Sequence, residues 1–137
     1  MKTFLTRAAT IKGGRSGQVK TEDNSIDLTL TRPTEMGGET NGVDPENLFA
    51  AGYASCLSSS IEFLLQQEQK QASHLEVSAK VLLVGDENGG FKFKLDVKAI
   101  IEGFDRQEAQ AILDKGLAFC PYSKAIKGNV EINAELA

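Results

Sequence analysis

Between Leu48 and Leu65 the chain carries a single charged residue, Glu62, and no other stretch restricts the fold so severely. The stretch opens as a helix, with Asp44 as N-cap, Pro45 at the first helical position and Glu46 in the first turn. The helical pattern extends to about Gln71 and turns polar after Leu65, in QQEQKQ. A helix with no polar face must be covered on every side. Its longest uncharged run, Asn47 to Ile61, is 15 residues and holds four serines, short of the about 20 apolar residues that a membrane span needs. The expectation is a buried helix inside one soluble domain, residues 1–137.

The flanking segments say what covers it. Strand-like alternation runs from Thr3 to Ile11 and in SIDLTLT (Ser25 to Thr31), with a further short strand from Gln18. Between them KGGRSGQVK is a glycine-punctuated turn that presents Arg15. RPTEMGGETNGVDP, from Arg32 to Pro45, reads as a long loop, and such loops inside compact domains commonly serve function. Downstream, LEVSAKVLLV and FKFKLDVKAII alternate as strands around a GDENGG hairpin loop. DRQEAQAILDKGLAF is an amphipathic helix with Asp105 as N-cap and Glu108 three residues on, and GNVEINAEL supplies a last strand. The fold class is α+β, a largely antiparallel sheet packed on a central apolar helix.

A net charge of −4 with scattered cations argues against a nucleic-acid partner. The start MKTFLTRAATIKGG has no apolar core of a signal peptide, so a cytoplasmic location is expected. One histidine, His74, at an element boundary and read as solvated, makes zinc improbable, and no cofactor is implied. The glycine pairs lack phosphate-loop spacing and are read as turns. The two cysteines, Cys56 and Cys120, are expected to rest as thiols.

A cysteine alone is ordinarily a small buried hydrophobe. A reactive one must ionise, which a neighbouring cation or a helix N-terminus promotes. Arg15 is a permanent cation on a glycine-flanked turn, and Glu46 is suited to hold it through a bidentate pair. Cys120 precedes Pro121, which stops the helix and leaves that thiol in an irregular segment able to move.

Together GGRSG, PTEMGG, DPENLFAAGYASC and CPYSKAIKGNVEI resemble the organic hydroperoxide resistance branch of the OsmC-like family, in family order over nearly the whole chain. Asp44 stands where that family carries asparagine, and SKAIK differs from its commoner form. The resemblance implies an OsmC-like fold and an intertwined homodimer. It implies that Cys56 is the peroxidatic and Cys120 the resolving cysteine, with Arg15 and Glu46 activating the thiolate. The activity implied is reduction of organic hydroperoxides through a Cys56 sulfenic acid and a Cys56–Cys120 disulfide, reopened by an external dithiol such as dihydrolipoamide or a lipoylated protein. The alternatives are an OsmC-type peroxidase of broader peroxide range, a non-enzymatic thiol redox sensor, and an apolar-ligand binding domain with inert cysteines.

Two structural expectations follow. Ten residues of straight helix separate Glu46 from Cys56 by about 15 Å, so one cluster holding both requires a break near Gly52. A second helix from about Ala54 would then put Cys56 in its first turn, at the positive end of the dipole. One small sheet covers only one side of the apolar helix, so a second copy is expected on the other, with the Arg15 turn or the Met36 loop reaching the site from either chain.

Overall fold

The computed structural model describes residues 1–137, which form two compact units, Met1–Leu48 and Phe49–Ala137. In the first, strands β1 (Ala9–Lys12), β2 (Gln18–Thr21) and β3 (Asp27–Thr29) make an antiparallel sheet in that order. β1 is shorter at its start than the alternation from Thr3 suggests. β2 ends at Thr21, which pairs with Ala9, and an alternating segment without a neighbouring strand has no ladder to join. Single 3-10 turns occupy Gly14–Ser16 and Thr34–Met36, the second inside the long loop.

Helix α1 runs unbroken from Pro45 to Gln67 and carries the chain into the second unit. Its start is doubly tied. The Asp44 carboxylate accepts from the Asn47 N–H at 2.8 Å, and the Asn47 side-chain oxygen accepts from the Asp44 N–H at 3.1 Å. The second unit continues with β4 (His74–Gly85), β5 (Phe91–Glu102), α2 (Arg106–Phe119), α3 (Pro121–Ile126) and β6 (Glu131–Leu136). β4 and β5 form a hairpin paired along its whole length. The α2–α3 crossover returns the chain to the far side of β5, so β6 pairs parallel to it, the one parallel pair in a largely antiparallel α+β structure. The strands form two three-stranded sheets rather than one.

The core of the second unit follows from two periods. Tyr53, Leu57, Ile61 and Leu65, four apart on α1, are buried, as are Leu95, Val97, Ala99 and Ile101, two apart on β5. Ala109, Ile112 and Leu113 complete it from α2, whose Asp105 cap accepts from the Glu108 N–H at 2.8 Å. Gly116 lets the two helices close up: a Cβ there would stand 2.6 Å from Ile61 Cγ1. By length and composition α1 also passes for a membrane-spanning helix; the core-facing row above is what it buries here.

Candidate active site

Arg15 owes its position to glycine. Gly13 and Gly14 take positive φ, 97° and 59°, and a Cβ on Gly17 would lie 1.9 Å from the Lys12 carbonyl oxygen. The turn so formed aims the guanidinium at Glu46 in the first turn of α1. Two parallel contacts join them, Nη1 to Oε2 at 2.7 Å and Nη2 to Oε1 at 2.5 Å. The hydrogen bonds from Arg15 hold the Glu46 carboxyl below its ordinary range, against the opposing effect of burial. The same bonds raise the guanidinium further above neutrality.

The two cysteines come together in the second unit, and both are free. Cys56 lies well inside α1 and is half-buried; the helix break expected near Gly52 is absent, so this thiol has no helix N-terminus beneath it. Gly52 has another use. The Tyr122 hydroxyl sits against it, 2.6 Å from where a Cβ would be, and the Tyr122 ring meets Tyr53 edge-on with centroids 6.5 Å apart. Cys120 is the residue between α2 and α3 and is fully buried. Its N–H donates to the Gly116 carbonyl at 2.8 Å and its carbonyl accepts from the Lys124 N–H at 2.9 Å. The mobile, irregular setting expected for it is thus replaced by a fixed one, because Pro121 ends one helix while starting the next.

Cys56 packs against the buried cluster that contains Cys120, each thiol bears on the other's ionisation, and their surroundings differ. Burial pushes the Cys56 thiol up and the neighbouring Cys120 adds to this, while the Tyr122 N–H works the other way; the Ser60 hydroxyl donates to the Cys56 carbonyl at 2.8 Å. Burial also opposes ionisation of Cys120, but donors from the Ser123 N–H and hydroxyl, the Cys56 thiol and the Tyr122 N–H outweigh it and bring Cys120 down. Within one chain, therefore, Cys120 gives up its proton more readily than Cys56.

Of the four residues singled out from sequence, Arg15 joins Glu46 and Cys56 joins Cys120. The unbroken helix keeps Glu46 and Cys56 about 15 Å apart along its axis. Tyr53, Ser60, Tyr122 and Ser123 escaped the sequence reading. Only Ser123 was signalled there: in CPYS, proline at the first helical position puts the serine at the third, where it looks back at the residue before the helix. No three of His, Cys, Asp and Glu gather into a metal-binding group.

The chain matches the family model described as OsmC-like protein over residues 37–135. It is 38% identical over 126 residues to organic hydroperoxide resistance protein-like 2 of Staphylococcus epidermidis, covering 90% of this chain and 89% of that protein. It is 35% identical over 134 residues to organic hydroperoxide resistance protein OhrB of Bacillus subtilis, covering 97% and 98%. Among solved structures, the organic hydroperoxide resistance protein OsmC of Legionella pneumophila superposes with a TM-score of 0.95 at 37% identity, covering 99% of each chain.

Proposed function

The chain belongs to the OsmC-like family, and from that premise we propose that it is a cytoplasmic thiol peroxidase that reduces organic hydroperoxides. The relatives' names, organic hydroperoxide resistance proteins, support that substrate class. The free thiols of Cys56 and Cys120 carry the reading, since two thiols packed into one cluster on neighbouring elements are suited to close and reopen a disulfide.

In the proposed cycle the Cys56 thiolate attacks the terminal peroxide oxygen, the O–O bond breaks, and the alkoxide leaves with a proton as the alcohol. Cys56 becomes a sulfenic acid, which Cys120 converts to a disulfide with release of water, guarding it from irreversible oxidation. An external dithiol, dihydrolipoamide or a lipoylated protein, takes up the oxidising equivalents and restores both thiols. The apolar surroundings of α1 suit a greasy substrate tail.

Activation needs a group that the thiol pair does not itself supply. Burial holds the proton on Cys56, so attack at neutral pH needs a cation that favours the thiolate. Arg15, fixed by Glu46, is the cation proposed, acting on the thiol of the partner subunit in a homodimer. The unbroken α1 supports this, because no carboxylate spans its own helix from Glu46 to Cys56.

Steady-state turnover with dihydrolipoamide tests the function. The expected result is a higher kcat/KM for cumene hydroperoxide than for hydrogen peroxide, since burying a tail contributes about 25 cal/mol per Å². Equal values point to an OsmC-type peroxidase of broader range. Disulfide formation without turnover points to a redox sensor.

A further inference from the structure

The side chain of Tyr122 has no part in the cycle above, yet it stands beside the thiol that begins it. On α1, Gly52 and Cys56 are four residues apart and share one face of the helix, and a helical side chain leans back over the turn before it. The Cys56 side chain therefore lies toward the turn that carries Gly52. That turn is where Tyr122 rests. Its hydroxyl oxygen is 2.6 Å, and two of its ring carbons are 3.1 Å, from where a Cβ on Gly52 would be. The ring meets the wholly buried Tyr53 edge-on, at 82° with centroids 6.5 Å apart, while Tyr122 itself is 41% exposed.

Helix α1 offers little bulk of its own at this point. Gly52, Cys56 and Ser59 form one stripe of small side chains, and Ser59 is exposed. A hydroperoxide that brings its terminal oxygen to the Cys56 sulfur finds only these small groups along the stripe. The apolar surface beside them comes from α3, as the Tyr122 ring. A tyrosine suits the place, with an apolar body for a tail to cover and a polar tip.

We propose that Tyr122 is a specificity-determining residue: its ring is the wall against which the organic tail of the hydroperoxide packs, and Gly52 is the notch that seats it there. The inference rests on the peroxidase reading. Hydrogen peroxide has no tail and gains nothing from such a wall.

The test measures second-order rate constants for thiol loss in the full-length reduced protein, with cumene hydroperoxide and with hydrogen peroxide. Tyr122→Ala is expected to lower the ratio of the two constants about tenfold, as loss of about 55 Å² of apolar contact implies. Tyr122→Phe keeps the ring and should hold the ratio near that of wild type. Gly52→Ala fills the notch and should lower the ratio less far. In the Tyr122→Ala background Gly52→Ala should have no further effect on it, because the ring it displaces is gone. A role in stability alone moves the melting temperature without moving this ratio. An unchanged or raised ratio in Tyr122→Ala overturns the proposal and leaves the peroxidase reading standing. So does a fall in Tyr122→Phe as large as that in Tyr122→Ala, which assigns the effect to the hydroxyl. Should Tyr122→Ala fail to fold, an unchanged ratio in Gly52→Ala overturns the proposal by itself. A wild-type ratio near one overturns it in favour of a peroxidase of broader range, and a wild-type chain that loses no thiol to either peroxide overturns both.

Discussion

Cys56 and Cys120 differ in burial and in how readily they ionise, and the difference bears on what each substitution does. Cys56→Ser is expected to abolish peroxide consumption. Cys120→Ser should consume about one equivalent and then stall with Cys56 as sulfenic or more highly oxidised acid. Single-turnover thiol counting distinguishes them, and identical behaviour rejects the assignment of roles. The Arg15–Glu46 pair makes a separate prediction in acid. Glu46 has its carboxyl lowered by Arg15, so the pair's contribution is complete above the ordinary glutamate pKa of about 4.3 and fades as pH falls through the lowered value. With side chains 29% and 18% exposed, that contribution is about 1 kcal/mol. Wild type should exceed Arg15→Ala in denaturant stability at neutral pH, with the gap closing in strong acid. A gap unchanged in strong acid would show that the ion pair is not its source.

At the scale of elements, α1 and α2 meet where a side chain is missing. Gly116 lies under Ile61, and an added Cβ would approach Ile61 Cγ1 to 2.6 Å and Leu57 Cδ1 to 3.5 Å. Alanine is favoured over glycine inside a helix by about 1 kcal/mol. Overpacking a closed core costs about 1–3 kcal/mol. Here the core term wins, because Ile61 and Leu57 are themselves fully buried and have nowhere to retreat. Gly116→Ala is expected to lower the melting temperature, and a rise in thermal unfolding experiments would show that the helices separate at little cost. Gly52 differs, since its neighbour is the far end of the Tyr122 side chain, which is 41% exposed and free to move.

For the whole molecule the question is what covers α1. Only 28% of its most apolar window is buried, and Ala51, Ser55, Ser59 and Phe63 form an exposed row at four-residue steps. Phe63 is stacked on Phe119 with centroids 5.4 Å apart, both rings well exposed. A surface of small side chains and exposed aromatic rings of this kind is what a second copy would close. Light scattering across a wide dilution range should give a dimer, and an active 14.8 kDa species at micromolar concentration rejects it. Complementation tests the shared site more sharply. Arg15→Ala and Cys56→Ser chains are each expected to be inactive alone, but co-expressed they should regain activity in mixed dimers, where an intact Arg15 faces an intact Cys56. No recovery in purified mixed dimers places the cation elsewhere.

Much of this was readable along the chain because it is local. The Asp44 and Asp105 caps, the alternation of β4 and β5, their hairpin and the glycine-flanked Arg15 turn each depend on residues a few positions apart. The pairing of Arg15 with Glu46 was legible too, since opposite charges on two rigid turns have few other partners. Gly52 misled, because a glycine in a helix reads as a break when only its conformational freedom is visible. Its reason lies 70 residues on, in the Tyr122 hydroxyl that fills the space a Cβ would take. Separation along the chain likewise hides Ser123 from Tyr53, the parallel place of β6 beside β5, and the lowered pKa of the buried Cys120. Short-range steric and capping rules are written in neighbouring residues, whereas burial and donor placement exist only after distant elements have packed.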